Sequence, residues 1–127
     1  MTALFQVQHL RKSYGDHAVV DGLSFHIDAG ECLGIIGPNG AGKTTTLRMC
    51  LGQAAPDAGS VRFTAQPGAA PLYMPRDALA IKAQLGVVAQ FDTLDPDFSC
   101  AENLVVYGRY FGLPKAQILP RVPKLLE

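Results

Sequence analysis

The residues best suited to chemistry stand together in residues 37–45: Gly37, Pro38, Asn39, Gly40, Ala41, Gly42, Lys43, Thr44 and Thr45. They fit the pattern G-x-x-x-x-G-K-[ST]. In that pattern the glycines let successive backbone N–H groups converge on an anion, the lysine supplies a positive charge, and the hydroxyl supplies a ligand for magnesium. The chemistry indicated is the holding of a nucleotide's phosphates. With glycine near 7% of residues in general, the four fixed positions meet by accident in about one chain of this length in a few hundred. A glycine-rich turn with a solvated lysine is therefore the weaker reading. No G-x-G-x-x-G begins after the apolar run ahead of the loop, which argues against a dinucleotide-binding turn.

Other reactive side chains form no comparable constellation. Cys32, Cys50 and Cys100 are far apart and lack C-x-x-C spacing, so they read as reduced thiols serving as small buried hydrophobes. His9, His17 and His26 have no metal-ligand spacing, and His26 falls on the polar phase of a strand. Asp92, Asp95 and Asp97 stand in a loop, where a solvated role outweighs metal binding. Ser99 with Glu102 three residues later is a capping box, so Glu102 is expected to cap a helix and not to act as a catalytic acid.

These residues need elements to hold them. Residues 4–10 and 23–27 alternate apolar and polar as half-buried strands do, with a turn at 11–16 and a short strand at 17–20 between them. Together they predict an antiparallel layer with one wet face. Residues 32–36 are apolar on both phases and predict a parallel central strand that carries the loop into a helix opening at Lys43 and fading near Gly52. A strand over 60–65, an irregular excursion over 66–75 and a short helix over 76–83 follow. Residues 85–89 predict a second buried strand with Gln90 at its carboxyl end, where open α/β sheets present ligand-binding groups. Leu104, Tyr107, Gly108 and Phe111 recur at helical spacing, with Gly112-Leu113-Pro114 as the stop. Pro120 and Pro123 argue against one straight helix over 115–127.

Composition narrows the function. At 127 residues the chain is at most one domain. A net charge of +0 gives no basic patch of the kind nucleic acid requires. No run approaches the ~18 apolar residues that cross a bilayer, and the first residues do not read as a secretory signal. Direct membrane insertion is not expected, and a membrane role would come through a partner.

The order of these features resembles the nucleotide-binding domain of ATP-binding cassette transporters: an antiparallel layer with Tyr14, the loop GPNGAGKTT, an antiparallel excursion, then a strand ending in glutamine. The stretch GVVAQFDTLDPDFSCAENLVVYGRYFGLP is especially similar to the ATPase subunits of nodulation-factor and related drug exporters. The resemblance implies an α/β P-loop NTPase fold with an N-terminal antiparallel layer, incomplete and breaking off after the start of a helical subdomain at about 98–127. It implies Tyr14 stacked on adenine, backbone donors from Asn39 to Thr44 around the phosphates of ATP, and Lys43 on the β and γ groups. It also implies Thr44 on Mg2+, Thr45 at the α-phosphate, and Gln90 sensing metal and γ-phosphate. The implied partners are transmembrane permease subunits and a second nucleotide-binding subunit, which would place the protein in the cytoplasm, peripheral on the inner face of the membrane. Departures are Ala89 where proline is usual, a longer 66–75 excursion, and Pro120 within a segment normally helical.

Hydrolysis in that family needs an apolar strand ending in Asp-Glu, an L-S-G-G-Q signature and a switch histidine. After the loop none of them occurs in this sequence. No catalytic residue is expected in the chain itself, and little hydrolysis, since phosphoryl transfer depends on positioning and charge stabilisation. The Asp-Glu strand lies beside the loop's strand in the family, so residues 32–36 are expected to carry an open edge. Three readings stand: an energising subunit of an exporter present as an N-terminal portion, a non-catalytic nucleotide-binding remnant, and a different loop NTPase. The last is disfavoured because no Asn-Lys-x-Asp guanine-reading motif occurs.

Overall fold

The computed structural model describes residues 3–127. Strands β1 (Phe5–Tyr14) and β2 (His17–Ile27) form an antiparallel hairpin closed at Tyr14↔His17. β1 continues through the expected turn to Tyr14, and β2 is one strand where the sequence suggested two. Gly22 explains the second difference. It is the extra residue opposite the step from Leu10 to Arg11, a bulge that bends the strand without ending its pairing. A second irregularity lies at His9, whose φ of 48 is left-handed and whose N–H donates to the Ser24 hydroxyl at 2.8 Å. It shifts the alternation by one residue, which is why Val7 and Leu10, three apart, are both buried.

β3 (Ala58–Phe63) pairs with the other side of β1, and β4 (Leu72–Met74) pairs with β3, giving the order β2-β1-β3-β4 with every pair antiparallel. β4 corrects the expectation of an irregular 66–75. Three residues between Pro71 and Pro75 suffice for an edge strand, where a missing proline N–H costs no ladder bond.

One face of this sheet is covered by α1 (Lys43–Cys50) and the short α2 (Ala78–Lys82). Leu10, Val61 and Phe63 from the sheet, Met49 from α1 and Ile81 from α2 form the core. Burying a side chain of this size completely is worth about 1.5–3 kcal/mol. Cys50 belongs to this core, and burial pushes its thiol up to about 11. Cys32 and Cys100 are exposed, against the expectation of three buried thiols.

The two expected central strands are not formed. Residues 32–36 and 85–89 have no ladder partner among the described residues, and Ile36 and Val88 are 97% and 101% exposed. An apolar run becomes a strand only when a neighbour takes its backbone hydrogen bonds, and no described segment does so.

The chain divides into two compact units, Met1–Gly86 and Val87–Glu127. In the second, α3 (Cys100–Tyr110) begins with the expected capping box: the Ser99 N–H donates to Glu102 Oε2 at 2.7 Å, and the Glu102 N–H donates to Ser99 Oγ at 3.2 Å. Asn103, 3% exposed, ties the preceding loop to α3. Its Oδ1 accepts the Asp95 N–H at 2.9 Å, and its Nδ2 donates to the carbonyls of Asp95, Phe98 and Ser99. The segment after Pro114 breaks at its prolines into α4 (Lys115–Ile118), a 3-10 turn (Leu119–Arg121) and α5 (Val122–Leu126). No described helix is long and apolar enough to cross a membrane.

Candidate functional site

The loop ahead of α1 is shaped by its glycines and its lysine. The Ala41 N–H donates to the Pro38 carbonyl at 3.1 Å, closing a turn. Gly42 is the N-cap, with φ 89 and ψ 9, and offers no side-chain bond to the helix. The first intrahelical bond runs from the Thr46 N–H to the Gly42 carbonyl at 2.8 Å. The N–H groups of Lys43, Thr44 and Thr45 therefore have no acceptor within their own helix. No acidic residue occupies that first turn, and the helix dipole adds positive character there. Neutral donors, a dipole and a lysine in one place suit an anion.

β2 supplies the wall behind the loop. A Cβ at Gly42 would lie 2.5 Å from the Val19 carbonyl oxygen and 3.2 Å from Val20 Cγ2, so glycine alone permits this approach. Val19 and residues 39–45 line a hollow of about 190 Å³. The Lys43 ammonium donates to the Gly37 carbonyl and, at 3.1 Å, to the Pro38 carbonyl, holding the start of the loop against its helix side. Thr44 is exposed, Thr45 half-buried and Thr46 buried. A larger hollow of about 400 Å³ in the second unit is lined mainly by apolar side chains, among them Phe98, Val105, Leu119 and Val122.

Tyr14 ends β1 opposite His17, two residues before Val19, in the same compact unit as the loop. Tyr14 is 52% exposed, with the Lys12 ammonium 5.4 Å from its ring centroid. Gln90 is exposed and belongs to the other unit, and the strand expected to present it is not formed. Asp92 and Asp95 accept the N–H groups of Leu94 and Asp97, both at 3.0 Å, and so cap local turns. No group of three or more His, Cys, Asp or Glu side chains that could hold a metal occurs among the described residues. Thus the structure gathers residues 39–45 around one hollow, ties Gly37 and Pro38 to it through the Lys43 ammonium, and sets Tyr14 in the same unit. Val19 and Lys12 are additions from the structure. Val19 carries no signal in the sequence, because its contribution is a backbone carbonyl; Lys12 stands two residues before Tyr14 and could have been noticed.

Comparison with known proteins agrees with this geometry. A family model described as ABC transporter matches residues 20–126. The Nod factor export ATP-binding protein I of Paraburkholderia xenovorans is 57% identical over 125 residues, covering 98% of this chain and 39% of the relative. The protein of the same name from Cupriavidus metallidurans is 54% identical over 127 residues, covering 100% of this chain and 40% of the relative. The chain thus spans about two fifths of the length of these curated relatives. A solved structure described as an ATP binding subunit of an ABC transporter superposes with a TM-score of 0.81 at 26% identity, over 97% of this chain and 49% of the other.

Proposed function

The chain belongs to the ABC transporter family, and on that premise we propose that residues 37–45 bind ATP with magnesium as the nucleotide-binding portion of an exporter's energising subunit. ATPases of this family bind ATP, typically with Mg2+, and those of exporters generally pair with transmembrane permease components.

The observation that carries the proposal is the uncapped first turn of α1 over the hollow beside Lys43. The donor set fits a polyphosphate. The backbone donors of residues 39–44 surround the β and γ groups, Lys43 leaves its loop carbonyls to meet their charge, and Thr45 reaches the α-phosphate. The Thr44 hydroxyl would hold magnesium, which would supply positive charge to offset that of the phosphates. Tyr14 offers its exposed face to the adenine. Gln90 reports the state of metal and γ-phosphate to membrane subunits.

The names of the relatives, which speak of Nod factor export, support the exporter reading. A permease and a second nucleotide-binding subunit are the proposed partners, holding the protein on the inner face of the membrane. A second reading is a module that binds nucleotide without turning it over. Sustained phosphate release would exclude it. Amide NMR tests the site itself. Adding Mg-ATP should shift the Gly40, Gly42, Lys43 and Thr44 resonances before those of α3, and shifts confined to α3 would refute the assignment.

A further inference from the structure

Tyr14 does not stand alone at the end of β1. Lys12, two residues back on the same strand, places its ammonium 5.4 Å from the centre of the Tyr14 ring. That ammonium is anchored. It donates to Asp57 Oδ1 at 3.3 Å, while the other carboxylate oxygen accepts the Ser13 N–H at 2.7 Å. Asp57 is fixed in turn, since its own N–H donates to the Arg11 carbonyl at 2.9 Å. A residue just ahead of β3 thus grips three consecutive residues of β1, and a cation held by that grip lies against the ring. The Lys12 side chain is only 17% exposed although its partners are at the surface. The Ser13 N–H, and after it Lys12, hold the Asp57 carboxyl below the usual carboxylate range, so it is ionised wherever the protein is folded near neutrality.

From this geometry we propose that Lys12 and Asp57 are positioning residues that set the Tyr14 ring for a nucleobase. The inference rests on the reading of residues 37–45 as an ATP site with Tyr14 as its base platform. A tyrosine free to change rotamer must be ordered when a base stacks on it, and ordering a side chain weakens binding. A cation already seated against the ring removes part of that cost. The Asp57 carboxylate keeps the cation there when solvent would otherwise claim it. The effect belongs to the base, and the phosphates do not feel it.

The test is calorimetric titration of the purified full-length protein with Mg-ATP and with magnesium tripolyphosphate, which has the phosphates and no base. Lys12→Met and Asp57→Asn should each weaken ATP by about two- to tenfold and leave tripolyphosphate unchanged. Lys12→Arg should keep the wild-type preference for ATP, and in a Tyr14→Ala background Lys12→Met should have no further effect. Equal losses for both ligands, or no loss for ATP, overturn the proposal while leaving the loop reading intact. If the wild-type protein itself binds tripolyphosphate as tightly as ATP, Tyr14 is no base platform and both readings fall.

Discussion

The Val19 carbonyl oxygen would lie 2.5 Å from a Cβ placed on Gly42, so β2 and the first turn of α1 meet backbone to backbone. Gly40, in the same loop, has a similar φ of 82 but nothing within 4 Å of its would-be Cβ. The two positions separate conformation from contact. Gly40→Ala should cost about 1–2 kcal/mol, the strain of a left-handed non-glycine residue. Gly42→Ala adds overpacking against β2 and should cost about 2–5 kcal/mol. Urea unfolding of the two variants measures the difference, and equal losses would remove β2 as the loop's wall.

Acid should destabilise the protein through three named carboxylates. The Ser13 N–H lowers Asp57, the Arg76 guanidinium and then the Tyr73 N–H lower Asp77, and the Ser99 N–H lowers Glu102. A folded value below the unfolded one means that the unfolded chain binds more protons as pH falls. The stabilisation is present above the ordinary carboxylate value of about 4 and is lost as pH drops through the depressed folded values. The urea midpoint should hold steady from neutrality down to about pH 5 and fall below that. Asp77→Asn should reduce the drop, modestly, because the groups are screened by solvent.

Asn103 uses both ends of its amide, and the two ends can be tested apart. Asn103→Ala leaves the Asp95 N–H and its neighbouring carbonyls without their partner, a loss of about 1–3 kcal/mol. Asn103→Asp keeps an acceptor for that N–H but turns a carboxylate oxygen toward three carbonyls, so it should be worse than Ala. Unfolding monitored by circular dichroism ranks them.

The thiols should react in two classes. Cys32 and Cys100 are exposed, whereas burial lifts the Cys50 thiol to about 11. A thiolate-selective reagent at pH 8 should modify the first two promptly and reach Cys50 only on unfolding.

Local geometry was legible in the sequence where neighbours in the chain do the work. The loop from Gly37 to Thr45 and the Ser99–Glu102 box follow from spacing alone, because their partners lie within a few residues. Relations that depend on a distant segment were not. Residues 32–36 and 85–89 have the composition of covered strands, but composition reports what a segment can bury and says nothing of which segment covers it. The bulges at His9 and Gly22 changed the phase and continuity of strands whose alternation looked regular. Asp57 gave no signal in the sequence, since its grip on Ser13 and Lys12 spans more than forty residues of chain.

Mg-ATP titrated by calorimetry into the wild-type protein and into Lys43→Ala decides whether residues 37–45 hold a nucleotide. Losing a hydrogen bond from a charged donor should weaken binding by about 1.5–3 kcal/mol, which is a Kd raised from about tenfold to somewhat over a hundredfold. An unchanged Kd in Lys43→Ala, with the variant folded as the wild type is, would contradict the assignment of this loop as the phosphate site.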